Sequence, residues 1–165
     1  MFEKVKETLK ILDEKLRQKG TSLEKIYKEA EGREKFNIPF DKIIENLDLK
    51  VFYTELGEVS GKCEGNKIFI NKKENTNRKR FTFCHELYHY LNNQTANRKS
   101  ATDDNDNKDK EEMYANVFAT AFLMPEKNLK EIFEHFKKSI SMTANYFGVS
   151  LEAMGYRLVN CGLSR

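Results

Sequence analysis

Apolar residues recur at helical spacing from the start of the chain. Val5, Leu9, Leu12 and Leu16 fall three or four apart, with Lys and Glu between them. That spacing predicts an amphipathic helix, and Gly20 is a suitable stop. Thr21, with Glu24 three residues on, makes a capping-box pattern for a second helix to about Ala30. Gly32 to Asn37 breaks the pattern. Pro39 then suits the first turn of a third helix with Phe40, Ile43, Ile44 and Leu47 on one face.

The period changes at Leu49. Val51, Phe52 and Tyr53 favour extended chain. Gly57, Gly61 and Gly65 punctuate the next stretch, and Lys67–Asn71 alternates as a strand does. The reading is a sheet of two or three strands, with Lys67–Asn71 either offering an edge to which an extended peptide adds or already paired on that side. A helix is predicted from about Arg78 to Leu91. Asn92 to Lys110 holds almost nothing apolar and reads as a long surface loop that gates a cleft. Another helix begins near Glu111 and ends at Met124-Pro125, and Leu129, Ile132, Phe133, Phe136 and Ile140 form a further amphipathic face. Two short helices split at Gly148-Val149 close the chain, with Ser150 as N-cap and Gly162 as stop. The expected fold class is α+β: a mostly helical body with a small two- or three-stranded sheet next to the helix after it. No repeat or linker divides the 165 residues, so one domain is expected.

Composition narrows the function classes. With 29 Lys plus Arg against 26 Asp plus Glu, the net charge is only +3, weak support for a nucleic-acid partner. No apolar run approaches the roughly 20 residues of a membrane helix, and the first residues lack a signal-peptide core. Cys63, Cys84 and Cys161 are widely spaced and odd in number, which suits reduced thiols. The expected location is the cytoplasm.

The chemistry lies in His85-Glu86-Leu87-Tyr88-His89, an H-E-x-x-H motif inside a predicted helix. Four-residue spacing puts both imidazoles on one face, one turn apart. Two nitrogens so placed can share a tetrahedral Zn²⁺. Zinc lowers the pKa of a bound water toward about 7, and Glu86, beside the first ligand, can take its proton. A catalytic zinc needs a third protein ligand. No third His occurs at metzincin spacing, so a later glutamate is the candidate. Glu112 shares a helical face with Asn116, which could orient a His through its other ring nitrogen. Ala115 and Ala119 would let that helix come close. Glu111, about 100° around the helix, is the competing ligand.

These residues resemble a known family. Arg80-Phe81-Thr82-Phe83-Cys84-His85-Glu86-Leu87-Tyr88-His89, then Glu112-x-x-Ala115-Asn116-x-Phe118-Ala119, then Leu123-Met124-Pro125, is similar to the ImmA/IrrE family of metallo-endopeptidases. Ser60-Gly61 and Ile68-Phe69-Ile70-Asn71 upstream, and Phe147-Gly148-Val149-Ser150 with Arg157-Leu158 downstream, extend the likeness over about Phe40 to Leu163. The resemblance implies a cytosolic zinc peptidase with His85, His89 and Glu112 as ligands and Glu86 as general base. It implies a protein substrate: a separately encoded helix-turn-helix repressor of a phage, mobile element or stress response. The chain then divides into an N-terminal helical segment (1–37), a zinc-binding core (38–125) and C-terminal helices (126–165). Tyr88 stands where the family commonly has Gly, which bears on the shape of the cleft.

Other residues carry weaker signals. Cys84 points about 100° away from His85 and reads as a buried structural thiol. His135 reads as a surface residue, with oxyanion stabilisation as its competing role; Tyr88, Tyr90 and Tyr114 are alternative donors. The basic run Lys72, Lys73, Arg78, Lys79 and Arg80 reads as a solvated loop in which Arg80 braces the metal helix. The last two helices superficially suit helix-turn-helix, but the second offers little for reading bases and is assigned to packing.

Overall fold

The structure, a computed structural model, describes residues 2–93 and 105–164. Three helices lead: α1 (Phe2–Gln18), α2 (Leu23–Ala30) and α3 (Phe40–Asn46). Val5, Leu12 and Leu16 bury the apolar stripe of α1, and Thr8 is buried with them. Leu9 packs at the edge of the core. Ser22 rather than Thr21 caps α2: its hydroxyl accepts from the Lys25 amide at 3.2 Å, and its backbone is extended, as an N-cap requires. Pro39 is the N-cap of α3 and lies just outside its first turn.

Strands β1 (Lys50–Thr54), β2 (Gly61–Glu64) and β3 (Lys67–Asn71) form one sheet in the order β1-β3-β2. β1 runs parallel to β3, with Lys50 opposite Lys67, and β2 runs antiparallel to it, with Gly61 opposite Ile70. β3 is therefore paired on both sides, which corrects its reading as an edge. The unpaired sides among the described residues belong to β1 and β2. Ile68 and Ile70 turn inward and are fully buried, while Phe52 and Phe69 stack on the outer face with ring centroids 5.2 Å apart.

Helix α4 (Thr76–Asn93) packs under the sheet and against α1 and α5 (Asn105–Leu123). Neighbours on several sides leave it buried around most of its circumference: Phe83, Cys84, Leu87, Tyr88 and Leu91 are all at or near zero exposure. It begins two residues before Arg78 and runs two past Leu91. At α5, Ala115 and Ala119 are fully buried, and their lack of bulk lets α5 lie close along α4. Because α5 starts at Asn105, residues 105–110 are helical rather than loop. The rest of the expected gating loop, residues 94–104, lies outside the described residues.

Met124-Pro125 ends α5, and α6 (Glu126–His135) comes next. The amphipathic face expected to continue to Ile140 stops there. Lys137 and Lys138 take positive φ (51° and 64°), which turns the chain, and Ile140 opens α7 (Ile140–Phe147) with 41 % exposure. Gly148 (φ +63°) ends α7, and the Ser150 hydroxyl, accepting from the Ala153 amide, caps α8 (Leu151–Asn160). The fold among the described residues is thus eight helices with a mixed three-stranded sheet packed on α4. None of them is long and apolar enough to cross a membrane.

Candidate metal centre

Helical periodicity positions the first half of the site. His85 and His89 lie one turn apart on α4, and their Nε2 atoms are 3.3 Å apart. Glu112, on α5, reaches across the helix pair: Oε2 is 3.0 Å from His85 Nε2, and Oε1 is 3.0 Å from His89 Nε2. The ligand atoms of these three residues all fall within 4.8 Å of one another. Two ligands at zinc distances on a tetrahedral ion stand about 3.3–3.4 Å apart, so the cluster has the dimensions of a tetrahedral metal site.

The hydrogen bonding fits a cation as well. Asn116 Oδ1 lies 2.8 Å from His85 Nδ1. An amide oxygen only accepts, so Nδ1 carries the proton and donates to it. The other ring nitrogen of His85, Nε2, faces the Glu112 carboxylate and the second imidazole. Burial, then the proximity of His85, hold the His89 pKa below its ordinary value and favour the neutral, ligating form. Two imidazole nitrogens and a carboxylate converging in this way suit a bound cation.

Glu86, one residue along α4, is only 7 % exposed. Burial, then the Glu112 charge, push its carboxyl up to about 7; a cation held beside it opposes that rise. Above Glu86 lies Gly61 of β2. A Cβ at that position would sit 2.5 Å from Thr82 Cγ2 and 3.3 Å from Glu86 Cγ. The backbone of β2 at Gly61 therefore lies close against Thr82 and the Glu86 side chain.

Residues 44–159 match the family model Peptidase_M78, described as the IrrE N-terminal-like domain. The chain belongs to this family. It is accordingly a metallo-endopeptidase of the IrrE N-terminal-like type, and its His/His/Glu cluster is of a kind that could hold a metal ion. No curated protein gives a significant match to it.

The other sequence-based candidates divide. Glu111 does not join the cluster; its Oε2 accepts from the Tyr88 hydroxyl at 2.9 Å. Tyr90 is buried, with its hydroxyl 3.3 Å from the Leu47 carbonyl. His135 sits exposed at the end of α6, its ring edge on Phe136, away from the three converging residues. Cys84 is fully buried, and burial pushes its thiol pKa far up, as befits an inert core residue. The basic run is largely engaged within the fold. Arg80 Nη1 donates to the Phe147 and Gly148 carbonyls, Arg78 lies over the Phe81 ring, and Lys72 and Lys73 approach Glu55. In α8, Arg157 Nε donates to the Met124 carbonyl at 3.0 Å, a packing role.

Sequence reasoning missed the space beside the centre. A groove of about 1240 Å³ runs between α4, α5 and α8, lined by Phe81, Met113, Asn116, Val117, Ala153 and Tyr156 among others. Asn116 lines this groove and bonds to His85, so the groove comes within one side chain of the cluster. The apolar exposure of Met113 (40 %) and Tyr156 (65 %) hinted at such a surface only once their helices were placed.

Proposed function

We propose that this chain, read as a single peptidase domain over 1–165, is a cytoplasmic zinc endopeptidase. Its target is a protein, a separately encoded helix-turn-helix repressor of a phage, mobile element or stress response. His85, His89 and Glu112 hold the zinc, and Glu86 is the general base. A zinc ion in that cluster supplies Lewis acidity, activating water and polarising the scissile carbonyl. The Glu86 carboxylate accepts the proton of the attacking water and returns it to the leaving amine. Asn116 keeps His85 in its ligating tautomer. The substrate chain lies along the groove beside Asn116 and pairs with the open side of β2, the strand that rests on Glu86.

The observation that carries this reading is Glu86 itself. A metal that only stapled α4 to α5 would have no use for a buried carboxylate beside its ligands. The repressor and the cytoplasmic setting rest on the family resemblance alone.

Glu86→Gln keeps size and most hydrogen bonding but cannot take a proton. It should fold, bind zinc and bind its target, yet cut it about 10²- to 10⁴-fold more slowly. Fragments of the repressor encoded beside its gene, separated by mass after incubation with zinc-loaded protein, give the readout. Should Glu86→Gln leave the target uncut yet relieve repression in cells as well as the wild type, the chain is a non-catalytic zinc-stabilised regulator that binds a repressor or DNA instead; should it cut the target as fast as the wild type, Glu86 is not the base.

A further inference from the structure

The two glutamates that open the buried part of α5 have different partners, and a tyrosine separates them. Glu112 meets His85 and His89. Glu111 meets the Tyr88 hydroxyl, which lies 2.9 Å from its Oε2. Successive residues on a helix point about 100° apart, so only one of the pair can face the metal in a given phase of α5. The start of the helix does not decide which one does, because Asp106 to Lys110 are all exposed and burial does not orient that end.

Tyr88 is well placed to decide it. Its side chain has no exposure, and its ring packs edge-on against His89 (centroids 5.6 Å, 78°) and against Phe118 of α5 (5.8 Å). The ring thus wedges between a ligand and the ligand-bearing helix, while its hydroxyl, which burial obliges to find a partner, donates to a carboxylate. We infer that Tyr88 is a positioning residue for the metal centre: by holding Glu111 it sets the phase of α5 that turns Glu112 toward His85 and His89. This rests on the reading of His85, His89 and Glu112 as metal ligands.

Zn²⁺ affinity of the full chain, measured by competition with a chelator, tests it. Tyr88→Phe keeps the ring and loses only the hydroxyl. It should weaken binding about tenfold, in the range of residues that orient metal ligands. Glu111→Ala should do the same. The double variant should bind no more weakly than either single one, because both remove the same bond. Glu111→Gln, whose amide oxygen still accepts, should stay within about threefold of wild type. A merely structural role would not move the visible spectrum of the Co²⁺-loaded protein, whereas Tyr88→Phe should change its ligand-field bands at saturating metal. Wild-type affinity in Tyr88→Phe, or losses that multiply in the double variant, would overturn the inference. Glu112→Ala and His85→Ala are the controls. If they too bind zinc like wild type, the ligand assignment itself fails; if they lose it while Tyr88→Phe does not, only the role of Tyr88 falls.

Discussion

At Gly61 a Cβ would stand 2.5 Å from Thr82 Cγ2 and 3.0 Å from the Phe69 carbonyl oxygen. Thr82 is buried and β-branched on a helix, so it has little freedom to yield. Gly61→Ala should lift β2 from α4 and disturb Glu86, at a cost of about 1–3 kcal/mol. Chemical denaturation reads that cost, and zinc stoichiometry should stay unchanged; a variant as stable as wild type would mean that β2 is not pressed on α4. Asn116→Ala removes the acceptor of His85 Nδ1 without touching a ligand, and zinc affinity should fall about 10- to 100-fold. Undiminished affinity in a chelator titration would show that the Asn116 contact does not orient His85. His85, Glu86 and His89 were legible because their relation is local to one helix. Glu112 was legible through the face it shares with Asn116. The contact between Tyr88 and Glu111 was not, because it joins two helices far apart in sequence whose relative rotation no local spacing encodes.

Among the elements, α4 is braced near its start by Arg80, as expected, but spacing could not reveal the partners. Arg80 Nη1 donates to the last carbonyls of α7, at 3.1 Å to Phe147 and 2.9 Å to Gly148. A guanidinium there satisfies groups that a helix C-terminus leaves open. Gly148 permits it twice over, by its φ of +63° and by the absence of a Cβ, which would fall 2.0 Å from Nη1. Gly148→Ala should therefore cost about 2 kcal/mol or more, combining left-handed strain with a weakened Arg80 contact. Thermal unfolding checks this, and a Tm within a degree of wild type would refute it. Sequence patterning found each helix of the described residues but misplaced several limits. The break before Ile140 was invisible because Lys137 and Lys138, not Gly or Asn, adopt the positive φ values. The central place of β3 was also hidden. Alternation marks a strand, but β1 reaches β3 as a parallel neighbour only through the tertiary arrangement.

Over the whole molecule, the two helices that carry the His/His/Glu cluster are clamped from several sides and left open on one. The sheet covers α4 from above, and α1 packs against both α4 and α5. Asn92 near the end of α4 donates to Thr8 of α1, tying the first helix to the metal helix. The open side is the groove that starts at Asn116 and passes between Phe81 and Val117 toward Ala153 and Tyr156 on α8. A peptidase must seat several residues of its substrate next to the metal, and this groove comes within one side chain, Asn116, of the cluster. Ala153 projects into it from α8, which carries no ligand, and its side chain is only partly buried. Ala153→Trp should fill the groove without altering zinc content or Tm. Cleavage of the protein target should fall about tenfold or more, chiefly through a higher KM, since the variant removes binding of substrate rather than transition-state chemistry. Equal loss in Glu86→Gln and Ala153→Trp would be told apart by target binding, which Glu86→Gln retains and Ala153→Trp loses. If Ala153→Trp cuts its target as the wild type does, the substrate does not lie along α8, and the open side of β2 alone must seat it.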